Sequence, residues 1–195
     1  MVMFSLCSAL AQDAPVIRAH TFEVGLFTGA SYGIDEARVM GGGNVSFGLT
    51  KQILPYVEFS YFPGIGRKQE GIFPGTGRPF TTSYSIPIAD FHGGVHIRFV
   101  RAERRVVPYG VFGMGVLHSF DRTVDATYSD ASGPFNRVQL DVPSRNDFAV
   151  NFGGGIRFYL TQRFGFRLEA KAYKPTGPFN DVFGKAEAGI FFQLR

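Results

Sequence analysis

Histidine side chains are the first candidates for chemistry in this chain. His92 and His96 are four residues apart. On a strand this separation spans about 13 Å at 3.3–3.4 Å per residue. Two side chains so far apart cannot ligate the same metal ion, so the sequence predicts no metal site and no cofactor.

A nucleophile and its base would have to come from His118 and Ser119. The two residues are adjacent, and adjacent side chains on a strand point to opposite faces. They therefore cannot form a nucleophile–base pair, and we expect no catalytic residues.

Most of the remaining charged residues alternate with apolar residues along the sequence. If these stretches are strands, the charged side chains share one face and the apolar side chains the other. Acids and bases occur there in similar numbers, so we expect them to pair in a network if that face is enclosed. If the first and the last strand pair to close a barrel, Glu23 and Glu187 would lie on adjoining strands. Arg167 or Lys171 would then be the compensating cation. The predicted network consists of Glu23, Glu58, Asp90, Arg98, Arg157, Arg167, Glu169, Lys171 and Glu187.

Eight segments show the period-two alternation that is typical of strands. Phe164–Tyr173, FGFRLEAKAY, is the clearest. Most segments have nine residues or more, whereas ordinary strands have about five or six and a tilted strand that crosses a bilayer needs about 9–11. The predicted strands are His20–Tyr32, Gly42–Thr50, Leu54–Phe62, Ile86–Phe99, Pro108–Phe120, Asp147–Leu160, Phe164–Tyr173 and Lys185–Leu194.

The connections between these segments alternate between short and long. The long ones are Gly33–Gly41, Pro63–Ser85, Asp121–Asn146 and Lys174–Gly184. We interpret Asp121–Asn146 as a hairpin that prolongs its neighbouring strands, and RPFTTSYSI as an outward extension of the fourth strand. Short turns on one side and long loops on the other are typical of bacterial outer-membrane barrels.

The composition agrees with a strand protein in a membrane. Charged residues make up 18% of the 195 residues, against about 25% in soluble domains. No run of 18 apolar residues encodes a transmembrane helix, and a net charge of +4 does not indicate a nucleic-acid partner. Aromatic residues near the strand ends are predicted to form interfacial girdles; they are Tyr32, Tyr61, Phe99, Tyr109, Phe120 and Phe164.

The N-terminus is interpreted as the end of a secretory signal. Residues 1–11 include a short apolar stretch and the small-x-small sequence Ala9-Leu10-Ala11. Residues 12–195 would then form one domain. The only cysteine of the sequence, Cys7, would be removed with the signal. A buried N-terminal segment is the alternative.

With these segments and loops, the chain over Gln12–Arg195 resembles the small eight-stranded outer-membrane barrels of the OmpA/OmpX type. Its last stretch, AEAGIFFQLR, is similar to the C-terminal recognition strand of such proteins, although it ends in Arg195 and not in an aromatic residue. The resemblance implies an all-β, eight-stranded antiparallel up-and-down transmembrane β-barrel in the bacterial outer membrane, with short periplasmic turns and long extracellular loops. It also implies periplasmic chaperones and the barrel-assembly machinery as partners.

The expected function is non-enzymatic: a barrel with a lumen filled by side chains and a structural or surface-binding role through its extended loops. Outer-membrane lipids and lipopolysaccharide are expected partners, with Arg67, Lys68 and Arg78 as candidate contacts to lipopolysaccharide phosphates. Strand addition at residues 121–146 would bind an extracellular protein. Two alternatives stay open, a lipid A-modifying enzyme similar to the deacylase barrels and a narrow gated pore.

Overall fold

Ten antiparallel strands make up one sheet in the computed structural model, which describes residues 17–32, 38–72, 77–99, 104–128, 137–177 and 182–194. Among these residues no helix is long and apolar enough to cross a bilayer. The strands are β1 (Phe22–Tyr32), β2 (Arg38–Phe47), β3 (Ile53–Ile72), β4 (Pro79–Arg98), β5 (Val106–Ser119), β6 (Arg122–Tyr128), β7 (Arg137–Val142), β8 (Arg145–Tyr159), β9 (Phe164–Pro175) and β10 (Phe183–Leu194).

Eight of these strands close into a barrel. The order β3-β2-β1-β10-β9-β8-β5-β4 is completed by pairing of β3 with β4. If paired positions are followed from strand to strand around the barrel, the path that starts at Phe22 returns to β1 at Tyr32, ten residues further along. The barrel therefore has a shear number of ten. An eight-stranded barrel encloses an interior just wide enough for side chains to fill. The predicted eight-stranded antiparallel barrel is confirmed.

The two ends of the barrel differ in their connections. The connections β2–β3, β4–β5 and β8–β9 lie at one end, which we call the turn end. Phe22 opposite Leu194 places the start of β1 and the end of β10 at the same end. The opposite end, here the loop end, carries the connections that were predicted to be long.

The loop end contains more strand than the sequence predicted. β3 and β4 have 20 residues each, so most of the segment Pro63–Ser85, predicted as a loop, is a paired extension with a register shift between Phe62 and Ile65. The predicted hairpin within 121–146 is present as β6 and β7. It joins the extension where Phe80 and Thr81 of β4 pair with β6. The barrel therefore continues into a sheet of four strands, β3-β4-β6-β7.

The second strand begins earlier than the predicted Gly42–Thr50. β2 starts at Arg38 and ends at Phe47, because residues 38–41, predicted as part of a long connection, pair with β1. A Cβ atom on Gly42 would lie 2.6 Å from the Phe27 ring. Glycine at this position thus makes room inside the barrel for an aromatic side chain.

The outer face of the wall is apolar on all eight barrel strands. Leu26, Phe91, Phe152 and Ile190 are 64%, 59%, 58% and 50% exposed. In the fifth predicted strand, Pro108–Phe120, glycines interrupt both faces, so the alternation does not assign an inner and an outer face. In β5 the odd-numbered residues Val107 and Val111 point inward, and the even-numbered residues, such as Phe112, point outward. A continuous exposed apolar band is what a lipid-facing barrel wall requires.

Two buried apolar clusters lie inside the barrel, one toward each end. The turn-end cluster is formed by Ile17, Val107, Tyr159 and Phe191. The loop-end cluster is formed by Phe27, Met40, Phe62, Ile88, Leu117, Ala149, Tyr173 and Phe183. The charged lumen lies largely between these two clusters.

Candidate functional site in the barrel lumen

The structure places all nine charged residues of the predicted network inside the barrel. Each of them is 5% exposed or less. They come from β1, β3, β4, β8, β9 and β10, and strand alternation explains their orientation because each lies on the face opposite the lipid-facing residues.

Glu58 is the centre of the network. Its carboxylate accepts a hydrogen bond from the Lys171 Nζ at 2.7 Å and one from Lys185. Arg167 Nη2 lies 3.5 Å from the other oxygen of Glu58 and 2.9 Å from Glu187 Oε1. Three cations from β9 and β10 thus converge on a carboxylate of β3.

Lys171 connects this centre to a further carboxylate. Its Nζ lies 2.6 Å from Glu169 Oε1. The second oxygen of Glu169 accepts a hydrogen bond of 2.5 Å from the Tyr109 hydroxyl. His96 Nε2 is 3.7 Å from the same oxygen, so the centre extends toward β4 and β5.

A second group lies nearer the turn end. Arg157 donates a hydrogen bond to Glu23, and its Nη2 is 2.9 Å from His96 Nδ1. Arg98 Nη2 lies 3.6 Å from the other oxygen of Glu23. One carboxylate on β1 therefore compensates two guanidinium groups from β4 and β8.

A third group lies nearer the loop end around Asp90. The carboxylate accepts hydrogen bonds from Ser60 Oγ at 2.9 Å and from the Tyr173 hydroxyl at 3.1 Å. It also contacts His92 Nδ1. His92 Nε2 faces the carbonyl of Ala149 at 3.2 Å, so both ring nitrogens of this histidine are engaged.

These buried charges are expected to stabilise the barrel only as a set. Transfer of an ion from water into the protein interior costs several kcal/mol. The attraction between oppositely charged groups offsets this cost only where their geometry is good and additional hydrogen bonds are formed. Removal of one partner leaves an uncompensated charge in a confined space. The network thus links strands on opposite sides of the lumen as well as adjacent ones.

The structure brings together three carboxylates that could in principle hold a metal ion. Oxygen atoms of Glu58, Glu169 and Glu187 lie within 4.8 Å of one another. The ammonium groups of Lys171 and Lys185 already compensate these oxygens, at 2.6–3.9 Å for the contacts of Lys171. This arrangement is that of a salt-bridge cluster.

Two features of the lumen differ from the sequence prediction. Tyr109 was assigned to the interfacial girdle, but it is 2% exposed and points inward. Space for its ring comes from the adjacent strand β8, where Gly155 is paired with Tyr109. A Cβ atom on Gly155 would lie 2.7 Å from the Tyr109 hydroxyl oxygen. The predicted network also omitted Lys185, which is fully buried. Its position two residues before Glu187 on the same strand face was the signal that could have identified it.

The other candidate residues lie outside the lumen network. Ser119 is buried whereas His118 is half-buried and pairs with Asn146, so the two do not form a nucleophile–base pair. Arg67 and Lys68 are on the extension of β3, opposite Tyr84 and Ser83, and their side chains lie outside the described part of the structure. Arg78 directly precedes β4. The interpreted signal, residues 1–11, also falls outside the described residues.

Solved structures that are similar to this chain include bacterial outer-membrane proteins. Neisserial surface protein A matches with a TM-score of 0.56 and 8% identity, covering 89% of this chain and 96% of that one. A major outer membrane protein from Thermus thermophilus matches at 0.55 and 10%, covering 90% and 100%. The N-terminal β-barrel domain of Pseudomonas aeruginosa OprF matches at 0.51 and 13%, covering 90% and 98%.

The sequence comparisons found no match, either to a family model or to a curated protein. The likeness therefore lies in the fold, and the apolar outer band of the wall agrees with it independently. The predicted resemblance is confirmed at that level: the fold of this chain is that of the small eight-stranded outer-membrane β-barrels.

Proposed function

We propose that this protein is a non-enzymatic outer-membrane barrel with a closed lumen, which acts by surface binding through the sheet beyond its loop end. Support for a closed lumen comes from the cross-barrel ion pairs, such as Arg157–Glu23 and Lys171–Glu58. The apolar clusters toward the two ends provide further support, because an ion would have to pass both.

Recordings in planar bilayers test the closed lumen. We expect the inserted wild-type protein to carry no steady ion current, since its interior charges are already paired. A shift in gel mobility on heating should first establish that the protein is folded. Arg167→Met should produce intermittent cation-selective events, because Glu187 loses its 2.9 Å partner. Large, steady currents from the wild-type protein would contradict the closed lumen and favour the pore alternative.

The observation that carries surface binding is the edge of the extended sheet. Within the described residues the sheet ends at β7, which pairs with β6 on one side. An exposed strand edge presents backbone donors and acceptors to an extended peptide. Strand addition gives affinity through the main chain and specificity through alternate side chains. An extracellular protein with an extended segment is the proposed partner.

The hairpin can be removed without opening the barrel, which permits a direct test. β5 and β8 pair directly from Val106–Phe158 to Ser119–Arg145, so a Gly/Ser linker in place of 122–142 should leave the heat-induced mobility shift intact. A fluorescent peptide with the sequence of Arg122–Tyr128, the strand that β7 already pairs with, serves as the probe. We expect saturable binding to the wild-type protein and loss of binding in the linker variant.

Two results would count against this proposal. Equal peptide binding by the wild-type and linker proteins would exclude strand addition at β7. Release of fatty acid from lipid A by the purified protein would contradict the non-enzymatic part. Contacts of Arg67, Lys68 and Arg78 with lipopolysaccharide phosphates remain part of the proposal and agree with their sequence positions in or next to the loop-end extension.

A further inference from the structure

The turn end of the barrel is strongly basic. The segments 17–21, 48–52, 99–105 and 160–163 contain six Lys and Arg residues and a single acid, Glu103. The connections at the loop end, 33–37, 73–78, 120–121, 129–136, 143–144 and 176–182, show the opposite bias, with five acids and one base. In the sequence, the connections between strands that meet at the turn end are therefore basic, and those between strands that meet at the loop end are acidic.

Four of the basic side chains described at the turn end are exposed, and they are spread over all three turns. The fifth, Arg18, is half-buried and donates a hydrogen bond of 2.6 Å to Gln162. Lys51 lies in the β2–β3 turn, Arg104 and Arg105 in the β4–β5 turn and Arg163 in the β8–β9 turn. We call these four residues the basic ring. Because the three turns occupy different parts of the circumference, the ring surrounds the barrel mouth and does not converge on a pocket.

The ring lies just beyond the last lipid-facing side chains. Lys51 lies between Leu49 and Ile53, which are 50% and 39% exposed. Arg163 is flanked by Leu160 and Phe164, which are 54% and 36% exposed.

The same arrangement recurs at the β4–β5 turn. Arg104 and Arg105 lie between Phe99 and Val106, which are 67% and 52% exposed. Cations that follow directly after the apolar band reach the level of lipid phosphates, and long side chains keep their charged heads there while their stems cover apolar surface.

We propose that the basic ring binds the phosphate groups of anionic glycerophospholipids in the leaflet that surrounds the turn end. A leaflet is the source of phosphate that fits the geometry, because it encircles the barrel at the height of the ring. A soluble anion would need the four cations to converge. Each Lys or Arg near a membrane surface adds to the attraction of anionic lipids.

Native mass spectrometry of the full chain can test this interaction directly. The protein would be refolded in micelles doped with equal amounts of phosphatidylglycerol and phosphatidylcholine of the same acyl composition. We expect the wild-type protein to retain at least about fivefold more phosphatidylglycerol, given the attraction per cation near a membrane surface. The variant Lys51→Gln/Arg104→Gln/Arg163→Gln should bring the ratio close to one.

A matched variant at the loop end separates the ring from overall charge. Arg38→Gln/Arg145→Gln/Lys174→Gln removes the same number of cations, at the loop-end termini of β2, β8 and β9, and should keep the preference of the wild-type protein. Both variants should first show the heat-induced mobility shift of a folded barrel. Equal retention of the two lipids by the wild-type protein would overturn the proposal. So would a loop-end variant that loses the preference as fully as the ring variant, since net charge alone would then explain the binding.

Discussion

Glu58→Gln is expected to destabilise the barrel by about 3–5 kcal/mol, the range for breaking a buried ion pair by removing one partner. The substitution preserves shape but removes the charge that compensates Lys171, Lys185 and Arg167. Glu169, Glu187 and the more distant Asp90, 4.0 Å from the Lys185 Nζ, would then be left to balance the three cations. Urea unfolding of the protein in micelles, followed by gel mobility without heating, measures the loss through the shift in midpoint.

The matched control is Glu70→Gln on the same strand. Glu70 is exposed on the extension of β3, so its loss should change the unfolding free energy by less than about 1 kcal/mol. A second variant, Glu58→Gln/Lys185→Met, removes one cation as well and should recover part of the stability. If Glu58→Gln unfolded at the same urea concentration as Glu70→Gln, the buried network would not contribute to stability as described.

The number of barrel strands and the face of each charged residue could be predicted because both depend on local periodicity. A side chain's face follows from whether its position in the strand is odd or even. This is why all nine predicted network residues are buried. Tyr109 shows the limit of such a prediction. Its position near a strand end indicated an interfacial aromatic residue, but its ring occupies the space left by Gly155 on the adjacent strand.

The partners within the network could not be predicted, because they depend on register and on contacts across the lumen. Glu23 and Glu187 do lie on adjoining strands, as expected. However, Glu23 is opposite Gln193, six residues beyond Glu187, which is about 20 Å along a strand. Glu23 therefore pairs with Arg157 and Arg98. The expected cations, Arg167 and Lys171, compensate Glu187 and Glu58.

Phe152→Arg is expected to cost about 2–4 kcal/mol, the range for a cation on the lipid face near the bilayer midplane. Phe152 is 58% exposed near the middle of β8, between Phe112 and Ala172 on the adjacent strands. Folding into lipid vesicles at increasing urea concentration, read from gel mobility, measures this cost. Arg157 on the same strand is tolerated because its side chain points inward to Glu23.

Two control variants decide what a loss of stability at Phe152 means. Phe152→Leu keeps the position apolar and should retain most of the stability. Gln52→Arg adds the same charge in an exposed turn and should cost no more than about 1 kcal/mol. In a water-soluble barrel the outer face would be hydrated, so Phe152→Arg would be close to neutral. The difference between Phe152→Arg and Gln52→Arg therefore distinguishes a wall in lipid from a wall in water, and equal stability of the two variants would contradict the membrane assignment.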